Sequence, residues 1–266
     1  MRAGYLQFKP EFCDTDSNIK RINDLTKNID FDILVMPELS NSGYLFTEKE
    51  ELENASESIP DGDFCRAIAK IAKVKNAYIV CGIAEKAGKK YYNSSILVSP
   101  EGEFDTYRKV HLFNEEKLWF SPGDEKFKVN EITVRGEKVK IGMMVCYDWI
   151  YPESARSLAI QGAQLICHPS NLVMPYCQNA MYARAVENRV FIITANRIGK
   201  DINNGKEVCF TGQSIIIDPK GNYLKRASED TEECFIAKIE PGQALDKKIN
   251  DYNSIFEDLR KDMYLL

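Results

Sequence analysis

The sequence predicts a layered α/β fold, and two stretches of the chain carry this prediction. Residues 2–36 alternate between a strand, a helix and a strand, and residues 139–168 repeat that order. The strands at 31–36 and 139–145 are mostly apolar, as strands covered on both faces are. With 266 residues, of which 44% are hydrophobic, the chain can fill one sizeable core, so we expect a single domain.

Elements of the first half follow from side-chain periodicity and turn residues. Ile19, Ile22, Leu25 and Ile29 recur at helical spacing and give the first helix an apolar face. The turns AGKK and PEGE separate runs rich in β-branched and aromatic residues. The predicted elements are strands at 2–8, 31–36, 77–85, 91–99 and 104–113 and helices at 17–29 and 61–74.

The second half repeats the alternation and ends in a tail. Pro152 suits the first position of a helix, and Gly162 can close it. A second helix is predicted at 178–188, with strands at 139–145, 164–168, 190–196 and 212–218 and two more strands after them. The apolar period then weakens, so we divide the chain into a domain at 1–243 and a C-terminal tail at 244–266.

Charge and cysteine usage exclude several classes of function. The net charge of -5 is spread along the chain, without a basic face for nucleic acid or a polybasic membrane patch. Lys9 and Glu11 interrupt any signal-peptide core, so we expect a cytoplasmic protein. None of the eight cysteines forms a C-x-x-C pair, so neither a zinc site nor a thioredoxin-type redox motif is indicated, and we expect no metal and no cofactor.

Cys146 is the candidate nucleophile, because it lies where an apolar strand gives way to a helix. Such a turn exposes a side chain beside free backbone N–H groups. Taken alone, Cys146 could equally be an inert core thiol. Glu38 ends another strand, and Lys109 ends a third, before an aromatic loop that contains Glu115 and Glu116.

The chemistry of a nucleophilic thiol narrows the choice of partners. It requires a base, a group that stabilises an oxyanion and a proton donor for the leaving group. The two histidines, His111 and His168, are not followed by anything like the partner motif of papain-type enzymes. A buried glutamate beside a lysine can supply these functions instead.

Three segments in this chain order resemble the nitrilase superfamily of carbon-nitrogen hydrolases: LVMPELSNSGY, YRKVHLF and MMVCYDWIYPESARSLAIQGA. Further similar segments are HPSN, ARAVENRVFIITANRIG and GQSIIIDPKGN. The resemblance implies Glu38 as general base, Lys109 as oxyanion stabiliser and Cys146 as nucleophile. It also implies a second glutamate near the lysine, for which Glu116 has the expected spacing and Glu115 remains possible.

The same resemblance implies a four-layer α-β-β-α sandwich. It further implies a homodimer formed through the helices after the cysteine and the region of the strand at 190–196, with the tail at 244–266 reaching across it.

The substrate class is less narrowly defined, because amidases, nitrilases and N-carbamoyl hydrolases share this triad. Tyr147 and Asp148 after the cysteine favour a small aliphatic amide, whereas nitrile-hydrolysing members typically have Trp-Glu there; an aliphatic nitrilase is the close alternative. An N-carbamoyl amidohydrolase would need a cation for the substrate carboxylate. Candidates for that cation are Arg184, Arg189 and Arg197. The predicted pocket lining is Tyr44, Trp119, Phe120, Tyr147, Trp149, Asn171 and Tyr176.

Two other classes give different expectations. A non-catalytic scaffold would keep the fold and an unreactive Cys146. A transferase of the superfamily carries an additional ATP-dependent domain or membrane segments, and neither is evident in this sequence. The sequence therefore favours a hydrolase whose partner is a small molecule.

Overall fold

The computed structural model describes residues 1–264. Its strands are β1 (Arg2–Gln7), β2 (Ile33–Val35), β3 (Tyr78–Ala87), β4 (Lys90–Val98), β5 (Phe104–Arg108), β6 (Val129–Val134), β7 (Glu137–Met143), β8 (Leu165–Ser170), β9 (Phe191–Asn196), β10 (Lys200–Asn203), β11 (Lys206–Cys209), β12 (Ile215–Ile217), β13 (Tyr223–Arg226) and β14 (Glu233–Lys238). Its α-helices are α1 (Thr15–Thr26), α2 (Lys49–Ala55), α3 (Asp63–Lys75), α4 (Glu116–Trp119), α5 (Pro152–Ile160) and α6 (Cys177–Asn188).

Twelve of these strands form two six-stranded sheets with the same plan. The first sheet has the order β14-β1-β2-β3-β4-β5, and the second has the order β13-β12-β9-β8-β7-β6. Within each, three central strands are parallel and the outer strands are antiparallel. The remaining strands, β10 and β11, form a separate hairpin.

The two sheets pack face to face, and helices cover both outer faces. In β2, Ile33 and Val35 join the core between the sheets, whereas Leu34 joins the core under α1 and α3. This alternation follows from the two-residue period of a strand. On the other side, Leu158 of α5 and Met181 of α6 pack on the second sheet. The predicted four-layer α-β-β-α sandwich is therefore confirmed.

The predicted aromatic loop contains more regular structure than expected. Its acidic start forms the short helix α4, and strand β6 follows it. We did not predict β6, because the adjacent polar residues Asn130 and Glu131 break the alternation that would indicate a strand. The helix predicted to begin at Pro152 is confirmed as α5, and a 3-10 turn that we did not predict, Cys146–Ile150, connects it to β7.

The tail packs on its own chain as far as the structure describes it. The Lys247 ammonium donates to the carbonyl oxygens of Asn188 and Arg189 at 2.9 Å, at the end of α6. The Phe256 ring lies under the charges of Arg156 and Lys247. Packing of residues 244–266 across a dimer stays a prediction, and Leu265 and Leu266 lie outside the described residues. None of the helices within residues 1–264 is long and apolar enough to cross a bilayer.

Candidate active site

The three predicted catalytic residues lie just beyond the carboxyl ends of strands in both sheets. Glu38 follows β2 and Lys109 follows β5 in the first sheet, and Cys146 follows β7 in the second. Glu38 and Lys109 are fully buried, whereas Cys146 retains 6% exposure. The packing of the two sheets therefore brings these residues together.

Lys109 stands between two carboxylates. Its Nζ lies 2.6 Å from Glu38 Oε1, and 2.9 and 2.8 Å from the two carboxylate oxygens of Glu116. Burial opposes a charged lysine, but the charges of Glu116 and Glu38 outweigh it and raise the pKa of Lys109. Lys109 is therefore a fixed ammonium, and Glu116 is the second glutamate beside it.

Glu38 has one occupied and one free oxygen. Its Oε1 also accepts a hydrogen bond of 2.7 Å from Asn93 Nδ2, while the buried Oε2 has no partner among the described residues. Gly82 on β3 lets the backbone of Glu38 lie against β3, because a Cβ at Gly82 would be 2.3 Å from the Glu38 Cα. The free oxygen can accept a proton.

Cys146 occupies a strained turn. Its φ of +41° lies in the left-handed region, which is costly for a residue other than glycine. Two contacts hold the turn: Asp148 Oδ2 accepts from the Val145 N–H at 2.8 Å, and His168 Nε2 lies 2.9 Å from the Cys146 carbonyl oxygen. Because a carbonyl only accepts, His168 carries its proton on Nε2, and burial lowers its pKa to about 4.

The electrostatics keep the resting thiol protonated. Burial and then the charge of Glu38 raise the pKa of Cys146, and Glu116 adds to this effect. Lys109 and a hydrogen bond from the Asn171 backbone N–H act in the opposite direction. A base must therefore take the proton from Cys146 before it can attack a substrate.

Asp148, two residues after Cys146, is buried, and its carboxylate connects several side chains around the cysteine that the sequence did not predict to meet. Its carboxylate accepts from Tyr107 Oη at 2.7 Å and lies 2.7 Å from His111 Nδ1. His111 is thus an orienting group for the turn at the cysteine. The only available signal was an acidic residue two positions after Cys146.

A cavity of about 340 Å³ opens beside Glu116. Its lining includes three of the predicted pocket residues, Tyr44, Trp119 and Phe120. The Tyr44 hydroxyl donates to Glu116 Oε1 at 2.9 Å. At the mouth, Glu115 pairs with Lys206 at 2.8 Å, so Glu115 is not the glutamate that contacts Lys109.

The other four predicted pocket residues lie outside the lining of this cavity. Tyr147 packs against Phe113 with ring centroids 5.0 Å apart, and Trp149 makes an edge contact with Tyr176. Tyr176 is 50% exposed, because it precedes α6 at the surface. Asn171 is buried, and neither polar atom of its side chain has a partner within residues 1–264. Its backbone N–H is the group that reaches Cys146.

The three candidate arginines are engaged with protein groups. Arg184 pairs with Glu187, Arg189 pairs with Asp246, and Arg197 pairs with Asp201. They do not line the cavity. The interpretation that one of them binds a substrate carboxylate therefore loses its support.

Comparison with known proteins identifies the family. The profile of the family described as carbon-nitrogen hydrolase matches residues 2–246.

The chain belongs to the carbon-nitrogen hydrolase family.

Two curated relatives of this carbon-nitrogen hydrolase carry different activity names. A protein of Pyrococcus abyssi named nitrilase is 40% identical over 267 residues, covering 99% of both chains. An (R)-stereoselective amidase of a Pseudomonas species is 35% identical over 204 residues, covering 76% of this chain and 70% of its own length.

The fold of this carbon-nitrogen hydrolase matches a solved structure. The crystal structure of a carbon-nitrogen hydrolase from Helicobacter pylori superposes with a TM-score of 0.81 at 23% identity, covering 99% of this chain and 96% of the other. The resemblance to the nitrilase superfamily is thus confirmed, and the chain is an enzyme of that type.

Proposed function

We propose that the protein is an amidase that hydrolyses small aliphatic amides through a thioester on Cys146. The observation that carries this proposal is the buried cluster in which Lys109 stands between Glu38 and Glu116, with one Glu38 oxygen free. The cavity of about 340 Å³ reaches this cluster at Glu116, while Cys146, Glu38 and Lys109 lie behind its lining, and its size suits a small substrate. The Tyr147-Asp148 pair after the cysteine agrees with an amide.

The residues support a two-stage hydrolysis. Glu38 Oε2 takes the thiol proton, and the Cys146 sulfur attacks the amide carbonyl carbon. The Lys109 ammonium has three donors, so a third N–H can stabilise the oxyanion together with a backbone N–H near Tyr147.

The tetrahedral intermediate then breaks its C–N bond. The proton on Glu38 passes to the nitrogen, and ammonia leaves a thioester behind. Glu38 next takes a proton from water, which attacks the thioester, and the acid is released while the thiol regains its proton.

Nitrile hydrolysis is the second candidate, favoured by the name of the Pyrococcus abyssi relative. Here the thiolate adds to the nitrile carbon and forms a thioimidate, which water converts to the acid and ammonia. The same catalytic residues serve both reactions, so pocket shape selects between them.

Matched substrate pairs distinguish the candidates. We expect purified protein to release ammonia from propionamide and butyramide faster than from propionitrile and butyronitrile, with N-carbamoyl-β-alanine inactive. Cys146→Ala should lose turnover and remain folded. Cys234→Ser is the matched control, because that thiol packs under the outer helices of the first sheet and should keep turnover. Ammonia release from none of these compounds would refute the proposal.

We also propose that two copies of the chain pair through the outer faces of α5 and α6. In support, Ile160, Tyr182 and Tyr223 are exposed there, and the rings of Tyr182 and Tyr223 stack. Light scattering of the full chain should give twice the mass of one chain. Tyr182→Asp should shift it toward one chain mass, and a monomeric wild type would contradict the proposal.

A further inference from the structure

A buried ion pair lies behind the loop that carries Tyr44. Arg197, directly after β9, contacts Asp201 of β10 through two parallel bonds, Nη1 to Oδ2 at 2.9 Å and Nη2 to Oδ1 at 2.7 Å. Both side chains are buried. A buried pair of this kind contributes little net stability, because both ions lose their hydration. Its contacts with neighbouring groups therefore deserve a functional explanation.

The Asp201 carboxylate holds the backbone of the loop after Glu38. Its Oδ2 accepts from the N–H of Tyr44 at 3.0 Å and from the N–H of Leu45 at 3.3 Å. The Arg197 guanidinium lies 4.0 Å from the centroid of the Phe210 ring. Phe210 in turn meets the Tyr44 ring edge-on, with centroids 5.8 Å apart. The pair thus fixes both the backbone and the ring of Tyr44.

Tyr44 transmits this constraint to the catalytic cluster. Its hydroxyl donates to Glu116 Oε1, the oxygen that lies 2.9 Å from Lys109 Nζ. The ionisable groups that act on Glu116 are Lys109, Glu38, Tyr44 and Cys146. Burial raises the pKa of Glu116, and the charge of Glu38 adds to the rise, while the charge of Lys109 and the hydrogen bonds from Lys109 and Tyr44 limit it.

We propose that Asp201 and Arg197 are positioning residues that hold the Tyr44 hydroxyl on Glu116 and thereby keep Glu116 ionised at neutral pH. This inference rests on the proposed hydrolase, in which an ionised Glu116 orients Lys109. If Glu116 is protonated, Glu38 is the one charged carboxylate beside Lys109. The lysine charge then acts on Glu38 alone and makes it a weaker base toward Cys146. The acid limb of the pH profile of kcat/KM therefore reports the position of Tyr44.

The test is a double-mutant cycle in that pH profile. Tyr44→Phe should move the acid limb to higher pH by about one unit, as expected for the loss of a hydrogen bond to a charged group. Asp201→Asn should move it in the same direction by a smaller amount. The double variant should shift no further than Tyr44→Phe alone, because both changes act through one hydrogen bond.

A matched control separates positioning from folding. Asp32 also accepts from a backbone N–H, that of Arg2 at 2.7 Å, and pairs with the guanidinium of the same residue at 3.0 Å. Asp32→Asn should lower the melting temperature and leave the acid limb in place. An unmoved limb in Asp201→Asn, or additive shifts in the double variant, would overturn the inference.

Two further measurements test the inference if a variant does not fold or if the wild type shows no turnover. If Asp201→Asn does not fold, Arg197→Lys replaces it, because lysine keeps the charge but cannot form both parallel bonds to Asp201, and an unmoved limb there overturns the inference. If the wild type hydrolyses no compound in the panel, the proposed function fails. The inflection in the pH dependence of Cys146 alkylation by iodoacetamide, followed by mass spectrometry, then replaces turnover. A changed inflection is expected in Tyr44→Phe and, to a smaller extent, in Asp201→Asn, and an inflection that is unchanged in both overturns the inference.

Discussion

At the scale of single residues, the candidate site consists of charges that burial would normally exclude. Lys109 and Glu38 are stable without water because each supplies the counter-charge of the other. Asn93 adds a neutral hydrogen bond to the same Glu38 oxygen. Together they leave Glu38 Oε2 as the free acceptor of the cluster.

Replacing Glu38 with glutamine tests this assignment. Glu38→Gln keeps the size of the side chain and removes the base, so we expect kcat/KM to fall by about 10³-fold, within the usual range for general-base catalysis. Steady-state ammonia release measures the loss. Glu85→Gln is the matched control, because Glu85 is a buried glutamate that pairs with Arg108. Glu85→Gln should cost stability and keep turnover; equal losses of turnover would contradict the assignment.

At the scale of secondary structure, the turn after β7 depends on the strand beside it. His168 on β8 donates to the Cys146 carbonyl oxygen, and its Nδ1 lies 3.0 Å from the Thr194 hydroxyl on β9. Burial keeps this histidine neutral at neutral pH, because it lowers the pKa of His168 to about 4, and Nδ1 of the neutral ring accepts from the Thr194 hydroxyl. Protonation would turn Nδ1 into a donor. The shape of the nucleophile turn is therefore coupled to the protonation of His168.

This coupling predicts a dependence of stability on pH. The pKa of His168 falls from 6.5 in the unfolded chain to about 4 in the folded one, so the unfolded state binds the extra proton between these values. Stability should be unaffected by this group above pH 6.5, fall by about 3 kcal/mol as the pH drops to 4, and then level off. Urea unfolding of wild type and His168→Gln across this window measures it. An equal pH slope in both proteins would contradict the assignment.

Some strands and helices could be predicted from the sequence, and others could not. The central strands were predictable because apolar runs such as that of β8 have few alternatives to burial. Strand β6 was missed because edge strands follow a weaker pattern. That Glu38 and Lys109 lie together at the end of the first sheet was predictable from the segments that resemble the nitrilase superfamily, whereas the catalytic roles of these residues and of Cys146 stay a prediction.

The residues that hold the catalytic candidates in place could not be predicted from a sequence pattern. Asn93 is 55 residues from the Glu38 that it contacts, and Asp201 is 157 residues from Tyr44. These contacts depend on how the sheets pack, and a local pattern carries no information about that.

At the scale of the whole molecule, the site exists only where the two sheets meet. Glu38, Lys109 and Glu116 are supplied by the first sheet and its loops, whereas Cys146 follows a strand of the second. The shared core between the sheets, with Val35 on one side and Leu165 on the other, holds the two sets of residues in register. Loss of this core would separate the proposed base Glu38 from the proposed nucleophile Cys146 even if each sheet kept its strands.

Turnover and global folding should therefore be lost together. In a urea titration, we expect ammonia release and the fluorescence of Trp149, measured in Trp119→Phe, to fall with one midpoint, because Trp149 is buried on the turn after β7 and loses its packing when the domain unfolds. Leu165→Ala should move both midpoints down together, since it removes buried volume at the interface between the sheets and costs about 2–5 kcal/mol. If turnover disappeared at a lower urea concentration than the fluorescence change, the site would depend on local loop order. Coincident transitions in both proteins would instead show that the packing of one sheet on the other assembles the catalytic cluster.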